Sequence, residues 1–173
     1  MIFNSIDVSQ FTVSKETGNC DDWVNVLQVG RFTKVKNQLF SVEIANEIRK
    51  TNKKIRILCV GNNGNDYEQE VKKKIDEYGV SEYIQLLGVR KDIANIMADC
   101  KAFLLPSLYE GMPLVLLEAQ TAGLNCVVAD TFSHEADFGI GLIEWLSLDC
   151  SSKVWAEKIE EAIQSEPADD TAV

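Results

Sequence analysis

The chain is poor in the features that commit a protein to a membrane, an oxidising compartment or a polyanion. No stretch approaches the ~18 uncharged apolar residues of a membrane-spanning helix, and the N-terminus lacks a basic-then-apolar signal pattern. Its five cysteines, Cys20, Cys59, Cys100, Cys126 and Cys150, include no Cys-x-x-Cys and leave one unpaired, which fits neither a disulfide framework nor a zinc site. Cys59 and Cys126 lie in apolar runs, where a thiol acts as a small hydrophobe, so a reducing, cytoplasmic setting is expected. Basic residues are scarce toward the end: of 17 Lys and Arg only two follow Thr131, against ten of the 27 acids. With a net charge of −10, a broad basic footprint for nucleic acid or anionic lipid is excluded. Up to Thr131, however, 17 acids face 15 bases, and a local site for a small anion remains open. Only three prolines and ten glycines, with 46% hydrophobic residues, exclude a disordered or collagen-like polymer; 173 residues suffice for one domain and not for two.

Two common nucleotide-binding fingerprints are also absent, since there is no G-x-G-x-x-G and no G-x-x-x-x-G-K-[ST]. What the chain has is regular alternation of short apolar runs with longer amphipathic stretches. Strands are expected at Trp23–Val29, Ile55–Val60, Tyr83–Leu87, Ala102–Pro106, Asn125–Ala129 and Gly141–Leu146. Ala102-Phe103-Leu104-Leu105 and Cys126-Val127-Val128-Ala129 are apolar without alternation, the pattern of strands covered on both faces. Helices are expected at Asn37–Thr51, Asp66–Tyr78, Asp92–Ala98, Pro113–Ala122 and Ser152–Gln164. In the second, Tyr67, Val71, Ile75 and Tyr78 line one face, with Lys72, Lys73 and Lys74 on a solvated one. Asn37, Asp92 and Ser152 stand where N-caps are expected, and Pro113 suits a first turn. The alternation predicts an α/β fold, a doubly wound Rossmann-like parallel sheet with crossovers on both faces, over residues 23–164. Residues 165–173 read as an acidic flexible tail.

Ligands of such sheets bind outside the carboxyl ends of the strands. The loops there are Gly30-Arg31 with Lys34 and Lys36, Gly61-Asn62-Asn63-Gly64, Gly88-Val89-Arg90-Lys91, Ser107-Leu108-Tyr109-Glu110-Gly111-Met112 and Asp130-Thr131-Phe132-Ser133. Glycine in four of the five and basic clusters in two suit an anionic, phosphorylated ligand. The 61–64 segment reads equally as a tight turn or as a backbone contact. Most unusual is Glu110 to Glu118, two carboxylates flanking a nearly continuous apolar run. Glu118 falls inside a helix with apolar neighbours on almost every side and needs a donor or cation there. Glu110 falls just before that helix, beside the exposed amides of its first turn. Ligand contact is one reading; a stabilised helix terminus with an internally paired Glu118 is the other.

Glu110 to Glu118 matches the E-x7-E motif of the retaining, GT-B-fold glycosyltransferases of group 1, and Pro106-Ser107 through Glu110-Gly111, Pro113 and Leu114 resembles that family's P-S-x-x-E-G-x-P-L consensus. Val29-Gly30-Arg31 with Lys36-Asn37 resembles its G-R…K phosphate loop, Leu87-Gly88 its F-L-G strand end, and Asn4-Ser5-Ile6-Asp7 with Phe11 its N-G-I-D…F interdomain linker. The likeness runs over roughly residues 2 to 163, and Gly123 to Cys126 with Leu146 to Asp149 look most like members that build capsules or exopolysaccharides. Ser5 in place of Gly and Asn125 where Pro is frequent are mild departures.

The resemblance implies a hexosyltransferase that moves a sugar from a UDP- or GDP-sugar to a glycan or lipid-linked acceptor. Residues 1–22 would be the interdomain linker, and the chain the donor-binding C-terminal half, inactive alone, with the acceptor and any peripheral membrane contact belonging to a preceding half. By the match, Glu110 is the catalytic residue near the reacting carbon, Arg31 and Lys36 hold the diphosphate, and Glu118 binds the ribose hydroxyls. Gly30, Gly111, Met112, Leu114 and Val115 complete the donor-binding set, the last two through their amides, and Val89 and Arg90 are candidates for the nucleobase. These roles suit the chemistry, because a departing nucleoside diphosphate gathers negative charge that Arg31, Lys36 and helix amides can stabilise without metal. The sequence has no Asp-x-Asp, the metal-binding device of the other major glycosyltransferase architecture; no metal or cofactor is expected. His134, the sole histidine, is open to a general-base role or to none, Glu135 being the acid that matches the family's pattern nearby. Trp145 and Trp155 read as packing residues. The competing readings are a GT-B nucleotide-sugar epimerase or phosphorylase and a non-catalytic flavodoxin-like receiver module; the former class of phosphorylase needs a cofactor lysine that the Glu110 segment lacks, and the receiver needs acids where Arg31 stands.

Overall fold

A computed structural model describes residues 22–62 and 64–165. The sequence-derived linker at Asn4–Phe11 and the acidic segment from Glu166 lie outside the described residues. Six strands, β1 (Val24–Val29), β2 (Ile55–Val60), β3 (Ile84–Gly88), β4 (Cys100–Leu105), β5 (Asn125–Ala129) and β6 (Ile143–Leu146), form one sheet in the order β3-β2-β1-β4-β5-β6. Every pairing is parallel. This is the doubly wound order of dinucleotide-binding sheets, not the 2-1-3-4-5 order of receivers. The topology reverses between β1 and β4, so the loops after these two strands diverge around a crevice at the centre of the sheet.

Each strand feeds two cores because successive side chains point to opposite faces. Val26, Ile57, Cys59, Ala102, Leu104, Val127 and Ala129 join the core under α1 (Gln38–Lys50), α2 (Asp66–Tyr78) and α5 (Ser152–Gln164). Leu27, Leu58, Val60, Phe103, Leu105, Cys126 and Val128 join the one under α3 (Ile93–Ala98) and α4 (Leu114–Thr121). Burial on both faces is why these runs show no alternation. At roughly 1.5–3 kcal/mol per buried large apolar side chain, against at most ~1 kcal/mol for an exposed pair such as Lys73–Glu77, these layers hold the fold. Burial pushes the Cys59 and Cys100 thiols up to about 12, in keeping with packing rather than reactivity. Trp155 is fully buried, edge-on to Phe40.

Helix ends depart from expectation where tertiary contacts take over. Asn37 does not cap α1 with its side chain; it adopts a left-handed φ of 58° and donates instead to the Pro106 carbonyl, 3.1 Å away. The Tyr67 hydroxyl serves that terminus, accepting from the Leu39 amide at 3.2 Å. Asp92 pairs with Arg90 rather than capping α3, and α5 is capped by Ser151, not Ser152. Pro113 occupies the N-cap position of α4. Tyr78 is exposed beneath Lys74 instead of joining the buried face. Asn125, a departure from the pattern the sequence resembles, donates its side-chain amide to the Ala162 and Ser165 carbonyls and closes the end of α5, which a proline side chain has no donor to do. Among the described residues, no helix is long and apolar enough to cross a membrane.

Candidate active site

The β1 loop is built from below. Gly30 donates its amide to Val60, and the carbon chain of Lys36 folds over it, so that a β-carbon there would meet Lys36 methylenes at 3.0–3.1 Å. A buried amide network then fixes the loop's far side. Gln28, on β1, donates to the Lys36 carbonyl at 2.9 Å and accepts from Ser41 at 2.7 Å. Gln38 donates to the Arg31 carbonyl at 3.0 Å, and Asn65 to that of Phe32 at 3.1 Å. These contacts hold a short 3-10 turn, Lys34–Lys36, over the sheet end with Lys36 turned inward.

The β4 loop meets it across the switch point. Leu108 donates its amide to the Val35 carbonyl at 2.8 Å, and the Lys36 ammonium reaches Glu110 Oε1 at 2.5 Å. Ser107 donates to that same oxygen at 2.7 Å, and Thr131, from the β5 loop, donates to the Ser107 carbonyl at 2.8 Å. The pair is shielded, with side-chain exposures of 22% for Lys36 and 11% for Glu110. Three strand-end loops are thus bonded into one rim.

Arg31 is exposed on that rim, and its guanidinium has no protein partner among the described residues. Glu118 lies one turn inside α4, half-buried, and its carboxylate likewise has none; partial burial raises its pKa above the usual carboxylate range. The second of the two readings, an internally paired Glu118, finds no partner for it among the described residues. Gly111, Met112 and Leu114 are exposed before and within the first turn of α4, whose leading amides no helical carbonyl can satisfy, and Val115 is half-buried beside them. Val35, Leu108, Tyr109, Met112 and Leu114 add exposed apolar surface around the ion pair.

Val89 and Arg90 are not brought into this cluster. They follow β3, the outermost strand, where Val89 is exposed and Arg90 makes a bidentate pair with Asp92 at 2.8 and 2.6 Å. The Asp92 carboxylate holds the Arg90 pKa above its usual value and its own is lowered in return. His134 follows β5, bonded to Asp130 at 2.8 Å and stacked on Trp145 at 3.8 Å. Among the described residues, no three His, Cys, Asp or Glu side chains gather as metal ligands. A cleft of about 240 Å³ lies elsewhere, at the amino ends of β5 and β6, lined by residues including Asn125, Leu142, Glu144 and Lys158. It lies at the opposite end of the sheet from the loops that follow β1 and β4.

Of the supporting residues, Gln28, Gln38 and Ser41 were not singled out from sequence, and Ser107 and Thr131 stood there as loop and motif members without a supporting role. Gln28 carried a usable signal, as a lone amide in an apolar strand that must find buried partners.

The chain matches the family "Glycosyl transferases group 1" over residues 11–172 and belongs to it. It is 30% identical over 167 residues to the putative glycosyltransferase EpsF of Bacillus subtilis (strain 168), covering 92% of this chain and 43% of that one. The UDP-Gal:alpha-D-GlcNAc-diphosphoundecaprenol alpha-1,3-galactosyltransferase of Escherichia coli is 32% identical over 142 residues, with 75% and 36% covered. The capsular polysaccharide biosynthesis glycosyltransferase CapH of Staphylococcus aureus is 28% identical over 174 residues, with 94% and 45% covered. Among solved structures, Anabaena HepE in complex with UDP and glucose superposes with a TM-score of 0.77 at 20% identity, covering 95% of this chain and 47% of that chain, which establishes the fold. The chain spans less than half the length of these relatives.

Proposed function

We propose that this chain is the donor-binding half of a retaining glycosyltransferase that transfers a sugar from a nucleoside-diphospho-sugar, UDP- or GDP-linked, to a glycan or lipid-linked acceptor in capsule or exopolysaccharide synthesis. The observation that carries the reading is the shielded Lys36–Glu110 pair at the switch point, with Arg31 in the same loop as Lys36 and Glu118 in the helix after Glu110, both without a side-chain partner among the described residues. Arg31 and Lys36 meet the diphosphate, with the first-turn amides of α4 as further donors; Glu118 accepts from the ribose diol; Glu110 accepts from hydroxyls of the transferred sugar. As the glycosidic bond breaks, charge grows on the departing diphosphate where these cations already stand. Val89 and Arg90 remain proposed contacts for the base, Arg90 by leaving Asp92. The exposed apolar rim is what a facing, acceptor-binding half would cover. The named activity of the Escherichia coli relative, with its UDP-galactose donor and lipid-diphosphate acceptor, supports both ends of this reading.

Isothermal calorimetry with UDP and GDP tests it. One of them is expected to bind, and Arg31→Ala or Lys36→Ala to weaken it about tenfold or more, the loss of a charge-assisted contact. If neither nucleotide nor any of their sugars binds at millimolar concentration, the reading fails.

A further inference from the structure

We infer that Ser107 is a positioning residue that fixes the rotation of the Glu110 carboxylate. Ser107, in the loop that follows β4, is fully buried, so it has no route to a ligand of its own. A buried hydroxyl is costly unless bonded, and its bond is the 2.7 Å donation to Glu110 Oε1. Lys36 donates to the same oxygen from the β1 loop. With both donors on Oε1, Oε2 is the carboxylate's open acceptor among the described residues, and turning the group would break two hydrogen bonds, one of them charge-assisted. Thr131 holds the Ser107 carbonyl from the β5 loop, so the aim of Glu110 is set by three loops at once. An alanine would fill the space beside Glu110 but would leave Lys36 as a single, swivelling tether.

This role rests on the reading that Glu110 meets the donor sugar, and the test separates the two. Calorimetry on the whole chain compares UDP or GDP, whichever binds, with UDP-glucose, UDP-galactose and UDP-N-acetylglucosamine or with GDP-mannose; the readout is the affinity ratio of the tightest nucleotide sugar to the bare nucleotide. Ser107→Ala is expected to cut that ratio at least about fivefold, approaching Glu110→Gln, while bare-nucleotide affinity stays within about twofold. Ser107→Thr, which keeps the hydroxyl, restores the ratio, and Thr131→Val lowers it less. Equal losses for both ligands, or an intact ratio in Ser107→Ala when Glu110→Gln abolishes it, overturn the positioning role and leave the functional reading standing. A ratio unmoved by Glu110→Gln, or a parent that gains nothing from the sugar, overturns the sugar contact and the role with it. If Ser107→Ala does not fold, the exposed Thr131→Val decides by the same ratio.

Discussion

At the residue scale, Glu118 carries a local cost. Its raised pKa comes from partial burial, with no compensating donor among the described residues. An acid whose folded pKa is raised penalises the fold as pH climbs above its unfolded value of about 4.3, and the penalty is relieved below it. Neutralising it should therefore help the free chain and harm binding. Glu118→Gln is expected to melt at or above the parent's temperature at pH 7, to lose about tenfold in affinity for the ribonucleotide and to lose little for its 2′-deoxy analogue. Equal losses for the two nucleotides would remove the ribose role, and a lower melting temperature would contradict the uncompensated burial of the carboxylate. The spacing of Glu110 and Glu118 was legible in the sequence because it is a pattern along one chain segment. That Glu118 has no partner among the described residues, or that Glu110 is tied to Lys36 at a separation of 74 residues, is a matter of which loops meet, and no local pattern carries it.

At the element scale, boundaries were readable where punctuation is local. Asn65 and the left-handed Gly79 bracket α2, and Ile55–Val60 ends at Gly61, so these spans match the sequence-derived ones. They slipped where the terminus is finished by another element, as with Asn37 and Tyr67 at α1. Gly61 is the strictest of these markers. It holds φ 137°, and a β-carbon there would lie 2.0 Å from the Gly30 carbonyl oxygen, backbone against backbone. The sequence left open whether this segment is a turn or a ligand contact; the geometry makes Gly61 the support beneath the β1 loop. Gly61→Ala is expected to cost about 2 kcal/mol or more, lowering the melting temperature by roughly 4–8 °C in a domain of this size, and to weaken nucleotide binding by displacing Arg31. A variant that melts with the parent would show that the close approach is not needed.

At the scale of the whole molecule, the doubly wound class was legible from alternation and from apolar strands without period, whereas the strand order is a tertiary fact that places the β1 and β4 loops side by side. That adjacency brings two sequence motifs together, Lys36 of the first pairing with Glu110 of the second at the carboxyl ends of the strands. The cleft at the opposite ends of β5 and β6 offers a competing location for a ligand, with Lys158 paired to Glu144 and Glu161 at its wall. Backbone amide shifts in ¹H–¹⁵N spectra, followed during titration with UDP and GDP, separate the two most directly. Saturable shifts at Gly30, Arg31, Lys36 and Gly111 to Val115, with Leu142 and Glu144 unmoved, are the expected result. Shifts confined to Leu142, Glu144 and Lys158, or no saturable shift with either nucleotide, would contradict a donor site at the switch point.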